Sequence, residues 1–178
     1  MAIEYTKVLK TLGANFTVAG RSLDGTEKFQ KITGIAAIPR GVAGWQEKAG
    51  VRAEYGIIAV SCEALAITTI ELMDAGVKKI LIEKPAGLTT QEIQAVCEHA
   101  KKVEAQIFVA YNRRFYASVI EARKLIEDDG GVQSFNFEFT EWCEHIPDKL
   151  KYSETGKNWF FANSSHVLDM AFHLGGEP

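Results

Sequence analysis

No G-x-G-x-x-G occurs anywhere in the 178 residues, and no apolar run is long enough to span a bilayer. Proline is scarce at four and glycine stands at 15, which excludes collagenous and low-complexity chains. Cysteine is scarcer still. Cys62, Cys97 and Cys143 are too far apart for a C-x-x-C pair, and an odd three builds no disulfide framework. They read as buried thiols of a reducing compartment. No basic segment precedes an apolar stretch at the N-terminus, which argues against export and for a cytoplasmic setting. Positive charge is not in excess either. Residues 1–89 carry 11 Lys and Arg against 9 Asp and Glu, and residues 90–178 carry 9 against 14. The clustered cationic face that marks nucleic-acid binding is therefore missing, and the expected partner is a small molecule.

What is present is an ordinary globular composition, 47% hydrophobic, 10% aromatic and 24% charged, enough for one sizeable core. Tyr5, Val8, Leu9 and Leu12 recur at helical spacing, predicting a helix over 3–12 that Gly13 ends. A short apolar strand, Phe16–Ala19, leads into Gly20-Arg21-Ser22. Residues 23–33 are polar, Gly34–Ile38 is a short apolar run stopped by Pro39, and a small helix is expected over 42–48. Gly56–Ser61 is apolar without alternation, as in a strand buried on both faces. A helix over about 63–75 ends at Gly76, and Lys79–Ile82 is a second buried strand running into Glu83-Lys84-Pro85. Thr89 and Glu92 have capping-box spacing ahead of a helix over 90–104. Gln106–Ala110 is again a strand. Short apolar strands alternating with helices predict a parallel sheet.

The pattern then changes. After a helix over 116–128 and the Gly130-Gly131 break, residues 132–143 alternate, with Phe135, Phe137 and Phe139 on one side and Asn136, Glu138 and Thr140 on the other. A period of two predicts a strand with one solvated face, the mark of an antiparallel sheet and of a second domain. Residues 147–162 read as an irregular loop, followed by a helix over 164–174.

Ligands of doubly wound sheets bind beyond the carboxyl ends of the strands, which draws attention to three clusters. Lys84 stands at the mouth of a buried strand, either as a donor to a reacting oxygen or as an ordinary surface cation. Asn112-Arg113-Arg114-Phe115 is either a ligand-contacting loop, for which the arginine fork is suited, or a solvated helix entry. His166, Asp169 and His173 share one helix face. They offer acid–base chemistry at His166, structural hydrogen bonds, or the start of a metal site that has no evident further ligand.

The stretches IIAVSCEALAITTIELMDAGVKKILIEKPAGLTTQEI, VAYNRRFYASV and SSHVLDMAFHLGG together resemble the glucose–fructose oxidoreductase / inositol dehydrogenase (Gfo/Idh/MocA) family over nearly the whole chain. That resemblance implies an α/β fold. Residues 1–115 would form an incomplete Rossmann-type doubly wound parallel sheet, and residues 116–178 the start of an α+β domain with an antiparallel sheet. It implies an NAD(P)-dependent oxidoreductase acting on a sugar, sugar nucleotide or cyclitol, and a homo-oligomer in the full-length form.

By the same resemblance Lys84 is the catalytic lysine and His166 the proton acceptor. Ser61, Glu83, Asn112 and Arg114 line the cofactor cleft. Three departures bear on this expectation. Ala162 stands where many members have an aspartate, four residues before the histidine. Arg21 and Ser22 follow the second strand where NAD enzymes carry an acid, which favours the 2′-phosphate of NADP over NAD. The glycine turn and the strand before it would precede Met1, so the expectation is an incomplete piece of a longer enzyme, inactive alone. The alternative is a non-catalytic relative that keeps the fold for binding or assembly.

Overall fold

The computed structural model describes residues 1–48, 52–140 and 148–176. Its parallel strands form two sheets. In one, β1 (Val18–Ala19) pairs with β2 (Ala37–Ile38), Val18 opposite Ala37. In the other, β4 (Lys79–Ile82) lies between β3 (Tyr55–Ile58) and β5 (Gln106–Val109), with Ile58, Ile82 and Val109 in register at the carboxyl ends. Pairing continues one residue further, Glu83 N–H donating to Ile58 O at 2.9 Å and Ala110 N–H to Ile82 O at 2.8 Å. The turns that follow β3, β4 and β5 therefore open side by side.

Helices return the chain between strands: α1 (Ala2–Thr11), α2 (Leu23–Thr33), α3 (Gly41–Glu47), α4 (Leu65–Asp74) and α5 (Thr90–Val103). The core is where β4 meets α4 and α5. Ile80 and Ile82 are wholly buried, and Leu65, Met73, Val77 and Val96 close over them. The cap of α5 follows its sequence signal, Thr89 Oγ1 accepting from Glu92 N–H at 3.2 Å. The Glu92 carboxylate reaches back to Leu88 N–H at 2.7 Å rather than to the cap residue itself.

The polar stretch 23–33, which carries no expected element in the sequence, is a helix capped by Ser22 Oγ, which accepts from Gly25 N–H at 3.1 Å, although Leu23 and Ile32 stay exposed. Four expectations are corrected. The strand expected to be buried on both faces is β3, yet Tyr55 and Ile57 are exposed and only Ile58 is buried. Among the described residues β3 has one neighbour, so half of its surface stays open. Cys97 is an exposed thiol and Cys62 is half-buried; Cys143 lies outside the described residues.

Residues 132–140 form no ladder, for no described strand pairs with them, while 141–143 lie outside the described residues. Of the three phenylalanines expected on one side, Phe135 and Phe137 do share one, although both stay exposed. Phe135 and Phe137 stack at 6.3 Å, and both meet Phe172 edge-on at about 6 Å.

The stretch expected as a loop before the last helix is mostly helical. Its elements are α7 (Asp148–Lys151), α8 (Glu154–Lys157) and the first turn of α9 (Trp159–Gly175). Ser153 Oγ caps α8 by accepting from Gly156 N–H at 3.0 Å. The helix α6 (Ala117–Asp128) packs beside α9. Gly175 is required there, since a Cβ would stand 2.5 Å from the Phe135 ring. No described helix is long and apolar enough to cross a membrane.

Candidate active site

The turns after β4 and β5 meet α9, and the turn after β3 meets the short helix α8 just before it. Lys84 leaves the end of β4 and donates from Nζ to Ala162 O on α9 at 2.6 Å. His166 lies one turn further along that helix, close enough that the Lys84 charge acts on its imidazole. The structure thus brings Lys84 and His166 to one side of the molecule. His166 packs edge-on to Tyr111, centroids 5.8 Å apart, and its Nδ1 is buried without a hydrogen-bond partner. Burial depresses its pKa, and the Lys84 and Arg113 cations depress it further against the opposing Glu83 and Asp169 carboxylates. At neutral pH the ring is neutral, as a proton acceptor must be.

Glu83 is buried at 9% exposure and takes a hydrogen bond at 2.7 Å from the Tyr5 hydroxyl of α1. Burial and that bond to a carboxylate push the Tyr5 phenol well above its usual range. The partnership spans 78 residues and had no signal in the sequence. A second unforeseen link joins Thr155 of α8, which donates to the Glu63 carboxylate after β3 and lowers its pKa.

Arg21 Nη2 donates to Ser61 Oγ at 3.1 Å, joining the turns after β1 and β3. Beside it is a groove lined by Arg21, Arg40, Val42, Gln46, Thr68 and Glu71. Arg40 pairs with Glu47 at its rim. Ser22 is turned to the cap of α2, and Asn112 is exposed on the 3₁₀ turn Asn112–Phe115. Arg114 of that turn meets Asp169 of α9, Nε lying 2.8 Å from Oδ2. No three His, Cys, Asp or Glu side chains converge as a metal requires among the described residues, and Asp169 faces Arg114 instead.

The histidines set a pH dependence. His173 is lowered in pKa by burial and by Arg114 and Arg123, as His166 is by its own surroundings. Folded values below the ordinary value of about 6.5 make the unfolded chain the better proton binder in that range. Stability held above about pH 6.5 is then lost as pH falls through the lowered folded values. Urea midpoints are expected to drop on acidification through this window, and a His166→Gln/His173→Gln chain is expected to lose that part of the slope.

No protein-family model matches the chain. It is 29% identical over 102 residues to inositol 2-dehydrogenase of Rhizobium meliloti strain 1021, covering 57% of this chain and 31% of that protein. It is 25% identical over 100 residues to myo-inositol 2-dehydrogenase of Thermotoga maritima, covering 56% and 30%. Among solved structures, the WlbA dehydrogenase of Bordetella pertussis in complex with NADH and UDP-GlcNAcA superposes with a TM-score of 0.69. There the identity is 17%, and the match covers 92% of this chain and 51% of that one.

The chain resembles the Gfo/Idh/MocA dehydrogenases in sequence and in fold. It spans about a third of the length of the curated relatives it matches and about half that of the solved structures. In this Gfo/Idh/MocA-like chain Ala162 offers only a methyl where many members carry a carboxylate, and the neighbouring ammonium takes the backbone carbonyl instead.

Proposed function

We propose that the chain carries the reacting part of an NAD(P)-dependent oxidoreductase. The reaction moves a hydride between nicotinamide and a hydroxyl-bearing carbon of a sugar, sugar nucleotide or cyclitol. The observation behind this reading is the reach of Lys84 to the helix turn that precedes His166. That contact sets a cationic donor near a neutral imidazole at the carboxyl ends of a parallel sheet. The nicotinamide, when bound, supplies the hydride acceptor or donor. Lys84 donates to the substrate oxygen and stabilises the negative charge that gathers there. His166 accepts the hydroxyl proton. Glu83, Ser61 and Asn112 serve as cofactor contacts, and the homo-oligomer belongs to the same proposal.

The residues present fit a dinucleotide at its two ends. Arg21 and Arg40 face one groove, and paired guanidiniums suit a phosphate on the adenosine ribose, which favours NADP over NAD. Lys84 and His166 stand at the reacting end. The backbone cradle that a glycine turn gives the pyrophosphate is not among residues 1–178.

Nicotinamide fluorescence tests the reading on this chain and on one carrying a strand and glycine turn ahead of Met1. The extended chain is expected to bind NADPH and NADH and to oxidise a cyclitol or sugar; failure to bind either nicotinamide overturns the assignment. In it, Arg21→Ala is expected to weaken NADPH about ten- to a hundredfold, the range of one or two charge-assisted hydrogen bonds, and to leave NADH nearly unchanged.

A non-catalytic binding or assembly relative is the second reading, and Ala162 is the observation that favours it. Turnover by the extended chain that is lost in Lys84→Ala supports the first reading, and no turnover at all supports the second.

A further inference from the structure

Two ties hold α9 against the sheet, and they bracket His166. The first is the Lys84 bond to Ala162 O, one turn before it. The second, one turn after it, is an arginine fork. Arg114 Nε lies 2.8 Å from Asp169 Oδ2 and 3.0 Å from Oδ1, and Nη2 also donates to Oδ1. The Asp169 side chain is only 6% exposed, so the pair is sealed on the carboxylate side. The guanidinium of Arg114 then lies over the Tyr111 ring at 5.8 Å, and Tyr111 meets the His166 ring edge-on at the same separation. Asp169, Arg114, Tyr111 and His166 thus close a ring of contacts between α9 and the turn after β5.

No hydrogen bond holds His166 Nδ1, and the residue four before it has no polar side chain. Packing against Tyr111 is what orients the imidazole, and Tyr111 is backed by the Arg114 fork. We propose that Asp169, Arg114 and Tyr111 are positioning residues that fix the orientation of the His166 imidazole in the crevice. This rests on the reading of His166 as proton acceptor, and it gives Arg114 a role on the protein rather than on the cofactor. The groups that face His166 are Lys84 and Glu83 after β4, Tyr111 and Arg113 after β5, and Asp169 on its own helix.

The test follows the His166 ring by NMR in the chain as it stands, reading its titration midpoint and tautomer, with no turnover required. Asp169→Asn removes a carboxylate that raises the His166 pKa and leaves Arg114 unpaired over the Tyr111 ring. It is expected to lower the midpoint by about half a pH unit and to shift the ring resonances, and Asp169→Glu is expected to restore both. Arg114→Lys keeps the charge but not the fork, so it is expected to stay folded and still move the tautomer balance.

A folded Asp169→Asn or Arg114→Lys chain with an unchanged His166 midpoint and tautomer would overturn the proposal, leaving the pair a helix brace only. Should Asp169→Asn unfold, Arg114→Lys decides alone. If these shifts occur while the extended chain binds no nicotinamide, the oxidoreductase reading fails and the positioning stands. If nicotinamide binds and the ring does not respond, the reverse holds.

Discussion

Lys84→Ala is expected to lower turnover of a cyclitol or sugar substrate by about two to three orders of magnitude in the glycine-turn-extended chain, while leaving the fold intact. The size follows from removing a charged donor aimed at an oxygen that gains negative charge in the proposed reaction. The fold survives because the hydrogen bond Lys84 makes among the described residues is the one to Ala162 O, and the residue is only partly buried. Steady-state oxidation followed at the nicotinamide absorbance measures the first effect, and circular dichroism the second. Undiminished turnover in the variant would remove Lys84 from the chemistry, and no turnover by the unsubstituted extended chain would make it a binding relative.

Ile80→Ala carries the largest expected loss of stability. Ile80 is fully buried on the central strand, between helices that close over it from α4 and α5. Truncating such a side chain costs about 2–5 kcal/mol, transfer and cavity together. Against a total of about 5–15 kcal/mol this brings the chain close to unfolding at room temperature. Ile57→Ala on β3 is the control, since Ile57 is 39% exposed and its loss opens little new space. Urea unfolding is expected to show a large drop in midpoint for the first and a small one for the second. The loss reaches the crevice too, because Ile80 sits on the strand that delivers Glu83 and Lys84.

Legibility followed locality. The strand Lys79–Ile82 and the helix after Thr89 were readable because their signals, an unbroken apolar run and a cap, lie within a few residues. The helix Leu23–Thr33 was not, for Leu23 and Ile32 stay exposed, Phe29 is half-buried and only Thr26 is buried. The last helix begins at Trp159 rather than 164, because its first turn falls in the polar and aromatic stretch 147–162 that read as loop, and Ser164 and Ser165 are buried inside it. Alternation placed Phe135 and Phe137 on one side but could not supply the neighbouring strand that a ladder needs.

In the crevice, Lys84 and His166 stood out by motif. Their surroundings did not: Tyr5 meets Glu83 across 78 residues and Arg114 meets Asp169 across 55, distances that no local pattern encodes. Arg114 shows the limit most plainly. Residue type and place suggested a cofactor contact, and only the folded chain revealed a buried carboxylate waiting for it.

The lysine bound to a helix carbonyl has a consequence for how the crevice fills. At rest the ammonium is already partly stripped of water and supplied with an acceptor. An incoming alcohol therefore trades one oxygen for another instead of desolvating a free cation. The carbonyl it releases keeps the amide of His166 as its intrahelical donor, so letting go strands no polar atom. On the proposed reading, docking and undocking of an alcohol at Lys84 would then be exchanges between near-equals.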